Sequence, residues 1–207
     1  MKFEEFGFRG AYHNLWAFDL EEKDRKLFED FPGQNEADTI LGYGYIDHQA
    51  GLSFEVLCLG IKCEDNFRFF EEKNEISVKI RIGNILNREF YFFDKEDEYF
   101  KEKFTEKIEM IDNNYYTSDA QQETRLFEQI DSFRNTEYPD DIFVILVKEG
   151  INPEACWCRL EAFDEDQKAF MCTLLNEPHQ DLGVHYLDMI PVFYHHGDKD
   201  ILFAPLK

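Results

Sequence analysis

The chain has little positive charge. Its 207 residues carry 22 Lys and Arg against 44 Asp and Glu, a formal net charge of −22. Phosphate binding needs clustered cations, so nucleic acid and anionic membrane are disfavoured as partners. No run approaches the ~20 apolar residues that span a bilayer. The opening, Met1-Lys2-Phe3-Glu4-Glu5-Phe6, has acids where a secretory signal would become apolar. The expected compartment is therefore the cytoplasm. Cysteines are few and odd in number: Cys58, Cys63, Cys156, Cys158 and Cys172. That argues against a secreted disulfide framework. There is no phosphate loop, dinucleotide fingerprint, nucleophile elbow or His-Glu-x-x-His. Gly42-Tyr43-Gly44 lacks the third glycine and following helix of a nucleotide-binding turn. Neither internal repeats nor low-complexity linkers occur.

What is present is a core. Hydrophobic residues make up 43% and Phe alone has 22 copies. That much apolar material excludes disorder despite the charge. The acidity suits a basic partner protein or a metal ion. Its plain alternative is solubility.

Periodicity orders the elements. The chain up to Phe93 reads mostly as strands, with aromatics at Phe3, Phe6, Phe8, Tyr12, Trp16 and Phe18. Leu20, Leu27 and Phe28 suggest a short amphipathic helix between Asp19 and Asp30. Ile40–Ile46 and Leu52–Ile61 read as strands joined by a turn at Asp47–Gly51. Ile76, Val78, Ile80 and Ile82 alternate with polar residues, as a half-buried strand would. A short strand follows at Glu89–Phe93. Two amphipathic helices come next. One is capped by Asp94, with Phe100, Phe104, Ile108 and Ile111 on one face; the other is capped by Ser118, with Leu126, Phe127, Ile130 and Phe133. Strands return at Ile142–Val147, Cys156–Phe163, Ala169–Leu175, Met189–Tyr194 and Ile201–Phe203. The fold class is α+β, with antiparallel sheets and two central helices. A boundary near Tyr138-Pro139 would divide residues 1–137 from a small β-rich domain at 138–207, unless the chain is one continuous domain.

Residues 154–203 carry Cys156-Trp157-Cys158-Arg159-Leu160, then Leu175-Asn176-Glu177-Pro178, then Gly183-Val184-His185. This stretch resembles small bacterial domains of the family called domain of unknown function 2314. Some relatives lie near toxin-immunity loci, so the resemblance implies an immunity-like role and no catalytic residue. Independently of it, Trp157 reads as a buried anchor. Asn176 reads as a residue that bonds its own backbone to end a strand, and Pro178 stops the strand continuing.

Three constellations are candidates for chemistry. His185, His195 and His196 could be drawn as a metal site, but adjacent histidines on a strand face opposite ways. A small metal-dependent hydrolase is the corresponding alternative function. Cys156 and Cys158 share a strand face that Cys172 could oppose, which suits core packing and could also hold zinc. The third is the stretch Tyr91–Phe100, where Asp94, Glu96, Asp97 and Glu98 lie between Tyr91 and Tyr99. Acid beside aromatic is what docking onto a basic surface needs. The expected function is accordingly a non-enzymatic inhibitor or immunity-like factor on a basic toxin, nuclease or other nucleic-acid-handling protein, without a cofactor. An accessory bacterial domain with incidental acidity is a further alternative.

Overall fold

A computed structural model describes residues 1–64, 66–72 and 77–207. The fold is α+β. The chain divides into two compact units, Met1–Tyr116 and Thr117–Lys207.

In the first unit, α1 (Phe3–Ala11) precedes β1 (Leu15–Asp19), β2 (Thr39–Asp47), β3 (Gly51–Lys62), β4 (Phe67–Phe69), β5 (Lys79–Arg81) and β6 (Phe90–Phe93), and α2 (Glu98–Asn114) closes it. The sheet runs in the order β4-β3-β2-β1-β6, with β5 also on β3. Every neighbour pair is antiparallel. Side chains alternate across a strand, so β1 sends Trp16 and Phe18 to one core and Leu15 and Ala17 to another. The first core packs under α1 through Phe3 and Phe6. The second packs under α2 through Phe100, Phe104 and Ile111. With both faces covered, β2 and β3 are nearly continuous apolar runs.

Residues 3–11, expected as strand, are helical. The helix bends at Gly7, whose φ is 61°. Aromatics every two to three residues mimicked a strand; what they do is pack along one sheet face, with Phe6 stacked on Trp16 at 4.0 Å. The close approach of this segment needs Gly44. A Cβ there would sit 2.0 Å from the Ala11 carbonyl oxygen. The charged segment after β1 is a 3₁₀ helix, Glu22–Phe28, that buries Phe28 and leaves Leu27 exposed. The strand expected over 76–82 shrinks to Lys79–Arg81; Ile82 enters a 3₁₀ turn, and Ile76 lies outside the described residues. Asp97, not Asp94, caps α2, its Oδ1 accepting from the Tyr99 N–H at 3.0 Å.

The second unit opens on α3 (Asp119–Thr124), which Ser118 caps by accepting from the Gln121 N–H at 3.1 Å. It is shorter than its apolar stripe suggested. Phe127 packs on Phe163 and Phe170, while Ile130 and Phe133 fall in a 3₁₀ helix, Glu128–Phe133, and Leu126 is exposed. Next come β7 (Asp141–Lys148), β8 (Glu154–Asp164), β9 (Ala169–Leu174), β10 (Met189–His195) and β11 (Ile201–Leu206), closed as a barrel β10-β11-β7-β8-β9. Four successive antiparallel pairings return the fifth strand to the direction of the first. The closing pair β11–β7 is therefore parallel.

Buried polar groups tie residues 117–140 to the barrel. Gln121 Nε2 donates to the Leu160 carbonyl at 2.7 Å. Arg125 grips Asp140 with two bonds of 2.9 and 2.7 Å, both side chains 4% exposed. Such pairing was not legible as helix periodicity.

Trp157, expected as a buried anchor, is 37% exposed. Cys156 and Cys158 take the barrel interior, so period two sends Trp157 outward, against Phe143 at 5.2 Å. Among the described residues, the Asn176 side chain bonds Trp157 and Cys156 rather than its own backbone. Its Oδ1 accepts from the Trp157 N–H at 2.8 Å, clipping the end of β9 to β8.

Candidate functional site: an aromatic groove between two sheet edges

The edges of the first unit's sheet are β4 and β6. No described strand pair joins them, yet their side chains meet. Phe67 lies 5.1 Å from Tyr91 and 5.2 Å from Phe93, and Phe69 lies 5.3 Å from Phe93. Phe100, in the first turn of α2, joins them at 5.3 Å from Phe93 and 5.8 Å from Phe69. The sheet curls around α2 until rings span the gap without backbone pairing. Apart from the tilted Phe67–Tyr91 pair, these contacts are edge-to-face, an arrangement that ring quadrupoles favour.

The result is an open groove of about 1060 Å³ lined by these rings with Cys63, Phe92, Asp97 and Tyr99. Its size matches the upper end of ligand sites, about 300–1,000 Å³. Its mouth keeps large apolar side chains in water: Phe92 is 53% exposed, Met1 51% and Tyr99 40%. A concentrated apolar patch of this kind is a mark of interaction surfaces.

Three of the six residues singled out from sequence, Tyr91, Asp97 and Tyr99, line the groove. Asp94, Glu96 and Glu98 stand beside it in the connection from β6 to α2 and in the first turn of α2. Local tasks occupy part of the set. Asp94 Oδ1 accepts from the Glu96 N–H at 2.9 Å and turns the chain. Asp97 caps the helix. Glu96 pairs with Lys101 at 2.9 Å, across water-exposed side chains. Glu98 carries the negative charge that suits a helix N-terminus.

The tyrosine hydroxyls are held by lysines. Lys62 bonds the Tyr91 hydroxyl and lies 4.2 Å from its ring centre. Tyr91 donates to Glu89 at 2.8 Å, which keeps that carboxyl below its usual range. Lys103 donates to Tyr99 at 3.1 Å. Both lysines are thereby held above the usual ammonium range, the tyrosine hydroxyls being the main cause. The groove thus offers ring faces in fixed orientations with acids at one end.

Sequence reasoning missed Phe67 and Phe69. Their alternation about Arg68 is a three-residue strand signal, too short to separate from a loop. It also missed that Phe100 serves core and groove together.

The histidines are not gathered. His185 Nδ1 bonds Glu177 at 2.7 Å and His196 Nδ1 bonds Asp200 at 2.8 Å, both on exposed turns, and His195 ends β10. Among the described residues no three His, Cys, Asp or Glu side chains converge as metal ligands. Cys156, Cys158 and Cys172 line the barrel interior as free thiols. Burial pushes the Cys158 thiol up to about 12 and Cys172 higher than its ordinary value. They pack there as small hydrophobes. Among the described residues no helix is long and apolar enough to cross a membrane.

No family model, no curated protein and no solved structure matches this chain.

Proposed function

We propose that the chain is a non-enzymatic binding protein of the cytoplasm, and that its aromatic groove docks onto a basic surface of a partner protein. The partner class is a cationic toxin, nuclease or other nucleic-acid-handling protein, which makes the chain an inhibitor or immunity-like factor. One observation carries the reading. Tyr91, Asp97 and Tyr99 share a single groove with Phe67, Phe69 and Phe93, so anchors and charge act on the same ligand. The net charge of −22 would steer a cation toward it. Exposed rings would then set the residence time.

The test uses the whole protein and a short synthetic peptide in which lysine alternates with valine. Its association rate should fall steeply as the Debye length shrinks from ~30 Å at 0.01 M salt to ~8 Å at 0.15 M. Asp97 is left intact because it caps α2. Glu96→Lys with Glu98→Lys should lower the association rate, whereas Tyr99→Ala should raise the dissociation rate. Binding that ignores salt and all three substitutions would sink the proposal.

A further inference from the structure

The backbone at the groove has a definite hydrogen-bond phase. In an antiparallel pair, alternate residues bond the partner strand and the residues between turn their N–H and C=O away. At the two ends of the β3–β4 pairing, Cys63 N–H donates to the Asn66 carbonyl and Phe70 N–H to the Leu59 carbonyl. Counting along that register, Arg68 also faces β3, while Phe67 and Phe69 face outward. On β6, Phe90 turns away from β1. It exchanges two bonds with Met1 instead, of 2.9 and 2.8 Å. Phe92, two residues on, turns the same way. Among the described residues, no main-chain partner takes the outward N–H and C=O groups of Phe67, Phe69 or Phe92, and both walls of the groove present them beside a half-buried aromatic floor.

Direction adds a second constraint. Four antiparallel steps separate β4 from β6, so the two edges run parallel to each other. The barrel of the second unit closes its parallel ends directly. Here the gap is held open by rings. One further strand, antiparallel to both edges, would close the sheet as an all-antiparallel barrel. Met1 on Phe90 already shows main-chain groups accepted on the β6 edge.

We infer that the groove takes its partner as an extended, lysine- or arginine-bearing segment that adds as a strand between β4 and β6, antiparallel to both. This rests on the docking reading above and specifies its mode. The segment would bond the backbone of Phe67, Phe69 and Phe92. Apolar side chains on one face would meet the rings, and cations would reach Asp97 and Glu98. Main-chain bonds supply affinity in such strand addition, and alternate pockets supply selectivity. A second copy of this chain is the poorer occupant, because each copy carries a net charge of −22. An edge left bare beside apolar rings is otherwise an aggregation site.

The experiment uses the full ¹⁵N-labelled chain, the lysine–valine peptide, and the same peptide N-methylated at alternate residues. The parent peptide should slow amide exchange at Phe67, Phe69 and Phe92. N-methylation on the edge that faces β4 should weaken binding about tenfold or more, as two or three hydrogen bonds are lost. A spin label at the peptide N-terminus should broaden Phe69 and Phe93 more than Phe67 and Phe90. If both peptides bind equally, salt-sensitively and without protecting those amides, strand addition is wrong and groove docking stands. If neither peptide binds, both proposals fall. Broadening at Phe67 and Phe90 would overturn the strand direction. Protection that rises with protein concentration alone would assign the groove to a second copy and overturn the inference.

Discussion

The Arg125–Asp140 pair is buried in the second unit, and Asp140→Ala measures what breaking it from one side costs. Both side chains are 4% exposed and share two bonds of 2.9 and 2.7 Å. The substitution removes the carboxylate and leaves a guanidinium buried without it. Breaking such a pair from one side costs about 3–5 kcal/mol, against ~0–1 kcal/mol for an exposed bridge. With a urea slope of about 1–3 kcal/mol per M, the unfolding midpoint should fall by roughly 1–5 M. The assay can be confined to this unit. The chain has two tryptophans, Trp16 in the first unit and Trp157 in the second. The Trp157 indole resonance, followed through a urea titration, reports the barrel. Asp140→Leu combined with Arg125→Met should recover most of the loss, because an apolar pair leaves no charge in the interior. A midpoint unchanged by Asp140→Ala would refute the argument, and so would a double variant no better than the single one.

Other outcomes are expected from the same structure. Gly44→Ala should destabilise the first unit by several kcal/mol, since its Cβ would meet the Ala11 carbonyl at 2.0 Å; a normal melting temperature would mean that α1 is free to shift. His185 should titrate above the ordinary value of about 6.5, raised chiefly by its bond to Glu177, and Glu177→Gln should bring it back. The contact's stabilisation is lost as pH rises through the raised His185 value. It is also lost as pH falls through the lowered Glu177 value, so it peaks between the two; an NMR titration of the His185 ring reads this. Cys63 is the exposed thiol and the other four are buried, so a thiol reagent should modify about one cysteine quickly under native conditions. Bound peptide should protect it, because Cys63 lines the groove; rapid modification of several thiols would contradict the burial.

Much of the fold was legible because both faces of its central strands are buried. Continuous apolar runs at Thr39–Asp47 and Gly51–Lys62, with turn residues between them, admit little else than a hairpin. The α2 stripe of Phe100, Phe104 and Ile111 was equally plain, being a 3.6-residue pattern in a charged background. Local pattern did less well where the decisive partner is remote in sequence. Phe3, Phe6 and Phe8 read as strand, and only the Trp16 surface across the sheet makes a helix the better way to bury them. Trp157 looked like an anchor by size, but Cys156 and Cys158 hold the barrel interior and turn it outward.

The candidate site divides the same way. Sequence alone determined that acids and aromatics lie together between Tyr91 and Phe100, since neighbours in the chain are neighbours in space. It also set the net charge, which is a sum over residues and independent of fold. Tertiary structure decided that these residues border a groove. Phe67 and Phe69 reach Tyr91 and Phe93 only because five strands curl until their edges approach. The outward hydrogen-bond phase of Phe67, Phe69 and Phe92 is likewise a product of register and strand order. Hydrogen-bond phase depends on which residue faces which, and no single segment contains that information.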